Sequence, residues 1–279
     1  MDTALKIKLR NLADRYEVSS FCDEDPSQFL RWYQPAAGRG TIADVEAASF
    51  IAAMLAFGNR KQFIPKIRQI LNTADNFACR GSISEWLKSG QFKKDFPSGA
   101  AKFYRFYSYD DMQAFFGELG DILKKAGSLG EFFESKYKEG KAFPSLQPAP
   151  RSSATPSPRG TPPKTPAALH ELISAAFPNS AIVPKGRSSA NKRIHMFLRW
   201  MVRRGSTVDL GLWKWVDPAE LLIPLDVHVM QEAIGLGLIP EGTAASRKTA
   251  ELLTSALAEV FPGDPCRGDF ALFGLGVDK

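Results

Sequence analysis

The chain has few cysteines and no cysteine motif. Cys22, Cys79 and Cys266 are far apart among the 279 residues, and none lies in a Cys-x-x-Cys pair. This excludes the usual four-cysteine iron–sulfur cluster, and no histidine is spaced to complete a zinc site. We therefore expect no metal and no cofactor, and reduced, partly buried thiols in a reducing compartment.

Long apolar runs are also missing. No stretch of about 18 apolar residues occurs, which predicts that no segment spans a membrane. Residues 1–17 have the pattern of an amphipathic helix and lack the apolar core of a signal peptide. These absences predict a cytoplasmic protein that does not bind membranes, and we expect a monomer. Lys and Arg outnumber Asp and Glu by only 36 to 30, so the placement of the charges matters more than their sum.

Strand patterning is scarce, whereas helical periodicity dominates and predicts an all-α fold. Residues 46–57 are apolar nearly all round and predict a buried central helix, followed by a turn at Gly58 and an amphipathic helix over residues 62–71. Further helices are predicted over residues 84–89, 100–107, 110–126, 129–137, 167–177, 190–204, 227–235 and 245–261, and from residue 218.

The composition changes sharply between Pro144 and Pro166, where eight of 23 residues are proline. Such a segment cannot build a core and is typical of a flexible insertion. The predicted organisation is an N-terminal helical part (residues 1–143) with the first core helices, a Pro-rich insertion (144–166), and a C-terminal helical part (167–279) with the candidate site.

The segment from Lys185 to Arg204 carries seven Lys or Arg and no acid. It opens with a Pro/Gly turn at residues 183–189, and Ser189 is the predicted N-cap of the next helix, which places Lys192 in the first turn. Uncompensated cations and free N–H groups at a helix N-terminus favour phosphate binding. The alternative is a basic face that meets acidic neighbours in the fold.

A second feature is Asp226, which stands among apolar residues directly before a helical pattern. As N-cap it would accept hydrogen bonds from the N–H groups of His228 or Val229, which would keep its carboxylate ionised and fixed in direction. Caps of this kind are common in purely structural roles, so the position alone leaves both interpretations open.

Together these features carry a resemblance. A hairpin turn, a helix with an early lysine, a loop, and Pro-Leu-Asp-Val-His at a helix start resemble the helix-hairpin-helix DNA glycosylase superfamily, and the resemblance implies a two-lobed helical fold with DNA in the cleft. The wider pattern resembles a bacterial family of conserved hypothetical proteins. It is carried by residues 46–60, Tyr-Arg-Phe at 104–106, Lys-Arg at 192–193, the Phe-Leu-Arg-Trp-Met-Val-Arg run at 197–203, and Asp-Phe-Ala-Leu at 269–272.

The resemblance also implies roles for single residues. Lys192 would be the amine nucleophile that forms a Schiff base with the sugar, and its place in the first helical turn near Arg193 would favour the neutral amine. Asp226 would hold that amine and stabilise the cationic sugar. Asn59 and Arg60 would fill the space left by a flipped base.

Other predicted contacts follow from the same pattern. The residues expected to bind nucleic acid are Asn59, Arg60, Lys185, Gly186, Arg187, Ser189, Arg193 and Arg199. Trp213 and Trp215 are the candidates for base stacking, and the remaining aromatic residues, including the run at 103–109, are predicted to be core.

Two departures from the superfamily pattern are visible. The hairpin keeps one glycine, Gly186, where two usually let the backbone approach phosphate. Lys192 lies 34 positions before Asp226, a long spacing also found in the archaeal glycosylase for oxidised guanine, which is therefore the nearest analogue. Lys192 can also be interpreted as a phosphate contact or an ordinary helix charge.

The sequence thus predicts a protein that binds double-stranded DNA, damaged or abasic, and removes bases, with strand cleavage by Lys192. The first alternative is a non-catalytic DNA- or RNA-binding protein with a glycosylase-like fold. The second is a module whose basic helix binds an acidic protein.

Overall fold

A computed structural model describes residues 1–76, 81–142 and 168–277, and its regular secondary structure is helical apart from one small hairpin. The helices are α1 (Thr3–Tyr16), α2 (Ile42–Leu55), α3 (Arg60–Asp75), α4 (Ile83–Ser89), α5 (Phe92–Asp95), α6 (Tyr109–Ala126), α7 (Leu129–Ala142), α8 (Leu169–Ala176), α9 (Lys192–Val202), α10 (Val227–Gly235), α11 (Arg247–Ala258) and α12 (Gly268–Val277). The predicted all-α class is confirmed. None of the helices within these ranges has the length and hydropathy needed to cross a bilayer.

Helix α2 is the centre of the first core. Thr41 and Asp44 form a capping box at its start, and almost every residue after them is buried, as its uniformly apolar sequence predicts. Asp44 also accepts a hydrogen bond from the backbone N–H of Ser84 at 2.8 Å, which fixes α4 against α2. Gly58 follows the helix with a φ of 81°, a conformation that favours glycine.

The helix predicted over residues 100–107 is wrong. Strands β1 (Lys102–Tyr104) and β2 (Tyr107–Ser108) pair in an antiparallel hairpin with Tyr104 opposite Tyr107. Arg105 and Phe106 form a two-residue turn, in which Arg105 has a φ of 52°. Aromatic residues suit strands, but this turn has no glycine to signal it. The helix predicted from residue 218 is also wrong, since only a short 3₁₀ turn occurs there (Pro218–Glu220).

Two hydrophobic cores stand side by side. The first contains residues from helices α2, α3, α4, α6, α7, α8 and α9. The second contains residues of α10, α11 and α12, together with Leu9 and Ala13 of α1, so the first helix packs with the last ones. The predicted Pro-rich insertion (144–166) and Cys79 lie outside the described residues, and the three-part division of the chain stays a prediction.

Candidate functional site

Lys192 and Asp226 lie together, although 34 residues separate them in the chain. Lys192 Nζ donates a hydrogen bond to Asp226 Oδ2 at 2.7 Å. Neither side chain is sealed off from solvent, because their exposed fractions are 38% and 26%. The pair stands where the start of α9 meets the start of α10, so the structure brings the two predicted catalytic residues into one place.

The start of α9 differs from the prediction. The N-cap residue is Asn191 rather than Ser189, and Asn191 makes no side-chain cap because its backbone is left-handed, with a φ of 44°. Its side-chain amide donates instead to the carbonyl of Gly186 at 2.7 Å and so closes the preceding loop. Lys192 is consequently the first residue of the helix, which agrees with its predicted place in the first turn.

Asp226 is the N-cap of α10, as predicted. Its Oδ1 accepts a hydrogen bond from the N–H of Val229 at 2.8 Å, while Oδ2 accepts the one from Lys192. Burial alone would raise the pKa of the Asp226 carboxyl, but the Lys192 charge and these two hydrogen bonds outweigh burial and hold the pKa below its usual value. The carboxylate is therefore ionised and fixed in direction.

The pair opens into a cleft of about 810 Å³ between the two cores. One wall is formed by the end of α2 and the start of α3, including Phe57, Gly58 and Arg60, and the other by the starts of α9 and α10. Arg60, Lys192 and Arg193 contribute positive charge to the lining, whereas Asp25 and Asp226 contribute negative charge. The charged part of the lining is thus mixed in sign rather than uniformly basic, and apolar side chains such as Phe57 and Phe63 make up much of the rest.

Asn59, Arg60 and Arg193 all lie at this cleft or beside it. Exposed Asn59 caps α3 by accepting from the N–H of Lys61 at 2.9 Å. Arg60 is exposed and lies 3.6 Å from Asp25. Arg193 is half-buried and donates to the carbonyl of Met54 at 2.6 Å, so its guanidinium joins α9 to α2 and is already engaged within the protein.

The chain belongs to a family described as a protein of unknown function, DUF2400, whose family model matches residues 25–278. Both Lys192 and Asp226 lie within the matched residues, whereas α1 precedes them. Neither the curated proteins nor the solved structures include a match to this chain.

Arg199 of this DUF2400 protein is not a surface contact, and that prediction is wrong. Its guanidinium is buried, lies 3.3 Å from Asp209 and pairs closely with Asp269. Arg203, from the same helix face, is also buried and pairs with three carboxylates, those of Glu17, Asp209 and Asp264. For these two arginines the alternative interpretation holds: acidic neighbours from distant segments compensate the basic helix.

The loop before α9 is largely exposed, and its middle part lines a different depression from the cleft. Lys185, Gly186 and Arg187 line a separate depression of about 400 Å³, beside Glu171 and Pro178. Lys185 donates to the carbonyl of Pro178. Ser189 is the member of this predicted set that lines the cleft with Lys192.

Trp213 and Trp215 do not line this cleft, and the prediction that they stack on a base is wrong. Trp213 is buried and donates its indole N–H to Glu46 Oε1 at 2.7 Å. Trp215 is half-buried and stacks on Trp213, with ring centroids 5.2 Å apart. Their rings belong to the first core because Glu46 on the central helix provides a polar partner inside it.

The sequence analysis did not predict the basic surface that α3 and the hairpin form together. Lys61 and Lys102 are exposed, as is Arg105 at the hairpin turn. Lys66 Nζ lies 4.7 Å from the ring centroid of Phe103, which places α3 alongside the hairpin. The signal was present in the sequence, since neither residues 58–74 nor residues 96–109 contain an acid.

Phe106 is the other missed residue. It was expected to be core, but 59% of it is exposed. Within the described ranges, no group of three or more His, Cys, Asp or Glu side chains is arranged to hold a metal ion.

Proposed function

We propose that this protein binds damaged or abasic DNA and removes bases through Lys192 and Asp226, on a two-lobed variant of the helix-hairpin-helix glycosylase fold. The observation that carries the proposal is the 2.7 Å contact between Lys192 Nζ and Asp226 Oδ2 at the wall of an open cleft. An amine and a carboxylate in contact, both reachable from solvent, are the two groups that such a reaction needs.

The chemistry follows from the contact. The Lys192 ammonium passes its proton through Asp226 to solvent, which restores the Asp226 carboxylate, and the free amine then bonds to C1′ of the deoxyribose. The base leaves with the electron pair of the N-glycosidic bond and takes up a proton, and opening of the sugar ring yields a Schiff base to Nζ. The fixed carboxylate stabilises the positive charge that develops on the sugar.

The basic rim supports a nucleic-acid substrate. Lys61, Lys102 and Arg105 are exposed on α3 and the hairpin, outside the cleft lining, with Arg105 next to Gly58 of the wall, and the segments around them contain no acid. Cations in this arrangement bind backbone phosphates and release counterions, which makes the affinity depend steeply on salt. A cleft of about 810 Å³ is also large enough for an extrahelical nucleotide.

Borohydride trapping on a duplex with an abasic site tests the proposal. Wild type should form a covalent adduct, because borohydride delivers a hydride to the Schiff base and leaves a stable amine. Lys192→Arg should form none while binding the duplex, since a guanidinium can keep the pair with Asp226 but is not a nucleophile. Lys124→Arg, at an exposed position on α6, is the matched control and should cross-link like wild type.

The alternatives predict other outcomes. One such outcome is that wild type binds duplex with an affinity that falls steeply as salt rises, yet never cross-links and releases no base from a panel of lesions. In that case the protein is a non-catalytic nucleic-acid-binding protein. If it has no affinity for duplex at low salt, a module that binds an acidic protein becomes the better interpretation. An adduct in Lys192→Arg would reject Lys192 as the nucleophile.

A further inference from the structure

The turn of the hairpin carries an exposed aromatic ring. Phe106 is 59% exposed. Within the described ranges, it is the one aromatic residue with more than half of its surface accessible to solvent. Its carbonyl accepts a hydrogen bond from Lys102 Nζ at 2.9 Å, and Tyr104 pairs with Tyr107 below it. The backbone that presents this ring is therefore held on both sides.

The ring of Phe106 continues an aromatic series that begins inside the cleft. Phe57 lines the cleft beside Lys192. The ring centroid of Phe106 lies 5.4 Å from that of Phe57 and 4.5 Å from that of Tyr107. A surface patch of aromatic rings that starts in a cleft and ends in solvent offers a stacking face to a planar ligand.

Cations accompany these rings. The guanidinium of Arg193 lies 4.9 Å from the ring centroid of Phe57, and that of Arg105 lies 5.6 Å from it. Arg105 also adopts a left-handed backbone with a φ of 52°, which is uncommon for residues other than glycine, asparagine and aspartate. The turn thus places an apolar ring and a positive charge next to each other at the rim.

We propose that Phe106 is a stacking wedge that enters the base stack where a base is missing or unpaired, while Arg105 binds the adjoining phosphate. The proposal rests on the DNA ligand of the proposed function, but not on the chemistry of Lys192. Apolar side chains that insert between base steps are an established way to bind deformed DNA. The preferred ligand is therefore duplex DNA with an interrupted stack rather than intact duplex.

Fluorescence anisotropy with two labelled duplexes tests this. One contains a tetrahydrofuran abasic analogue and the other is intact but otherwise identical. Wild type should bind the first more tightly. Phe106→Ala should lose about 5- to 150-fold in affinity for the abasic duplex, because stacking on one base contributes about 1–3 kcal/mol, and should change less than about twofold on the intact duplex. Phe106→Trp should retain the preference.

Leu252→Ala, an exposed apolar residue on α11, is the control and should bind both duplexes like wild type. Equal affinity of wild type for the two duplexes, or an unchanged preference in Phe106→Ala, overturns the wedge. A preference that depends on Phe106 in a protein that neither cross-links nor releases a base supports the wedge while rejecting base excision. The two proposals can therefore fail separately.

Discussion

Asp226 uses its two carboxylate oxygens for different partners, Oδ2 for the Lys192 ammonium and Oδ1 for the N–H of Val229. One residue thus serves both as the helix cap of α10 and as the partner of the candidate nucleophile. Substitutions that separate these two contacts can show how much of its role is structural.

We expect Asp226→Asn and Asp226→Ala to differ in their free energy of unfolding, whereas neither should form the borohydride-trapped adduct with abasic DNA. The amide oxygen of asparagine can still cap α10, whereas alanine loses a cap worth about 1 kcal/mol. The half-exposed ion pair itself contributes about 0–1 kcal/mol. Urea denaturation should rank wild type, Asp226→Asn and Asp226→Ala in that order, and both variants should lose the borohydride adduct. Full cross-linking by Asp226→Asn would show that the charge is dispensable.

Gly58 should tolerate alanine less well than Gly38 does. Both have positive φ values, 81° and 77°, so alanine at either position carries about 1–2 kcal/mol of backbone strain. A Cβ on Gly38 meets nothing within 4 Å, whereas a Cβ on Gly58 would clash with the Arg105 guanidinium and lie 3.0 Å from the hydroxyl oxygen of Tyr104.

The free energy of unfolding of the two variants, measured in urea, checks this prediction. Gly58→Ala should be less stable than Gly38→Ala by up to about 1 kcal/mol, the low end of the usual cost of overpacking, because the exposed Arg105 side chain can move away. It should also weaken duplex binding, because Arg105 must move. Equal losses of stability would mean that Arg105 is not packed against Gly58 in solution.

Asp209→Ala should destabilise the protein severely. Asp209 is buried and pairs with Arg199 at 3.3 Å and with Arg203 at 2.5 Å. Its removal leaves two buried guanidinium groups short of a counter-charge, which costs about 3–5 kcal/mol. Asp121→Ala, which breaks an exposed pair with Lys124 on α6, should cost at most about 1 kcal/mol. Comparable urea midpoints for the two variants would contradict the buried network.

The free energy of unfolding should decrease as the pH is lowered, because His195 is buried as a neutral side chain. Burial lowers the pKa of this histidine to about 3, and its Nδ1 has no hydrogen-bond partner. At pH values between the folded pKa of about 3 and the unfolded pKa of about 6.5, His195 binds a proton in the unfolded chain but not in the folded protein. The contribution is thus constant above about pH 6.5, and the free energy of unfolding should drop by about 2–3 kcal/mol towards pH 4.5.

Urea titrations at several pH values check this effect. His195→Phe should reduce the pH dependence below about pH 6.5, and the neighbouring His170, whose pKa burial also lowers, should account for part of what remains. A wild-type stability that is the same at pH 7 and pH 4.5 would contradict the burial of a neutral His195.

Local signals predicted most of the helices, but not α5 or α12, and predicted that Lys192 and Asp226 stand at the starts of two helices. Asp226 before an apolar-periodic segment predicted α10 with the observed bounds, and the uniformly apolar segment predicted the central helix α2. The hairpin was missed because a run of aromatic residues fits either element and Arg105 adopts a positive φ without the usual glycine.

Contacts between distant segments could not be predicted from one sequence. Arg199 looked like a surface cation because its partners, Asp209 and Asp269, come from a loop and from α12. Trp213 looked available for stacking because its partner, Glu46, lies 167 residues earlier. The side chains that compensate a charge, or cover a ring, are determined by tertiary packing, which periodicity does not encode.

The pairing of α1 with α12 has a consequence for how the chain folds during synthesis. Gly274 faces the ring of Tyr16 with no room for a Cβ, and Glu17 pairs with Arg203 and Arg267. Helix α1 is translated well before α12, which packs over Leu9 and Ala13. The first core can therefore begin to form during synthesis, whereas the second core, which carries Asp226, can be completed only once α12 has emerged and met the much earlier α1.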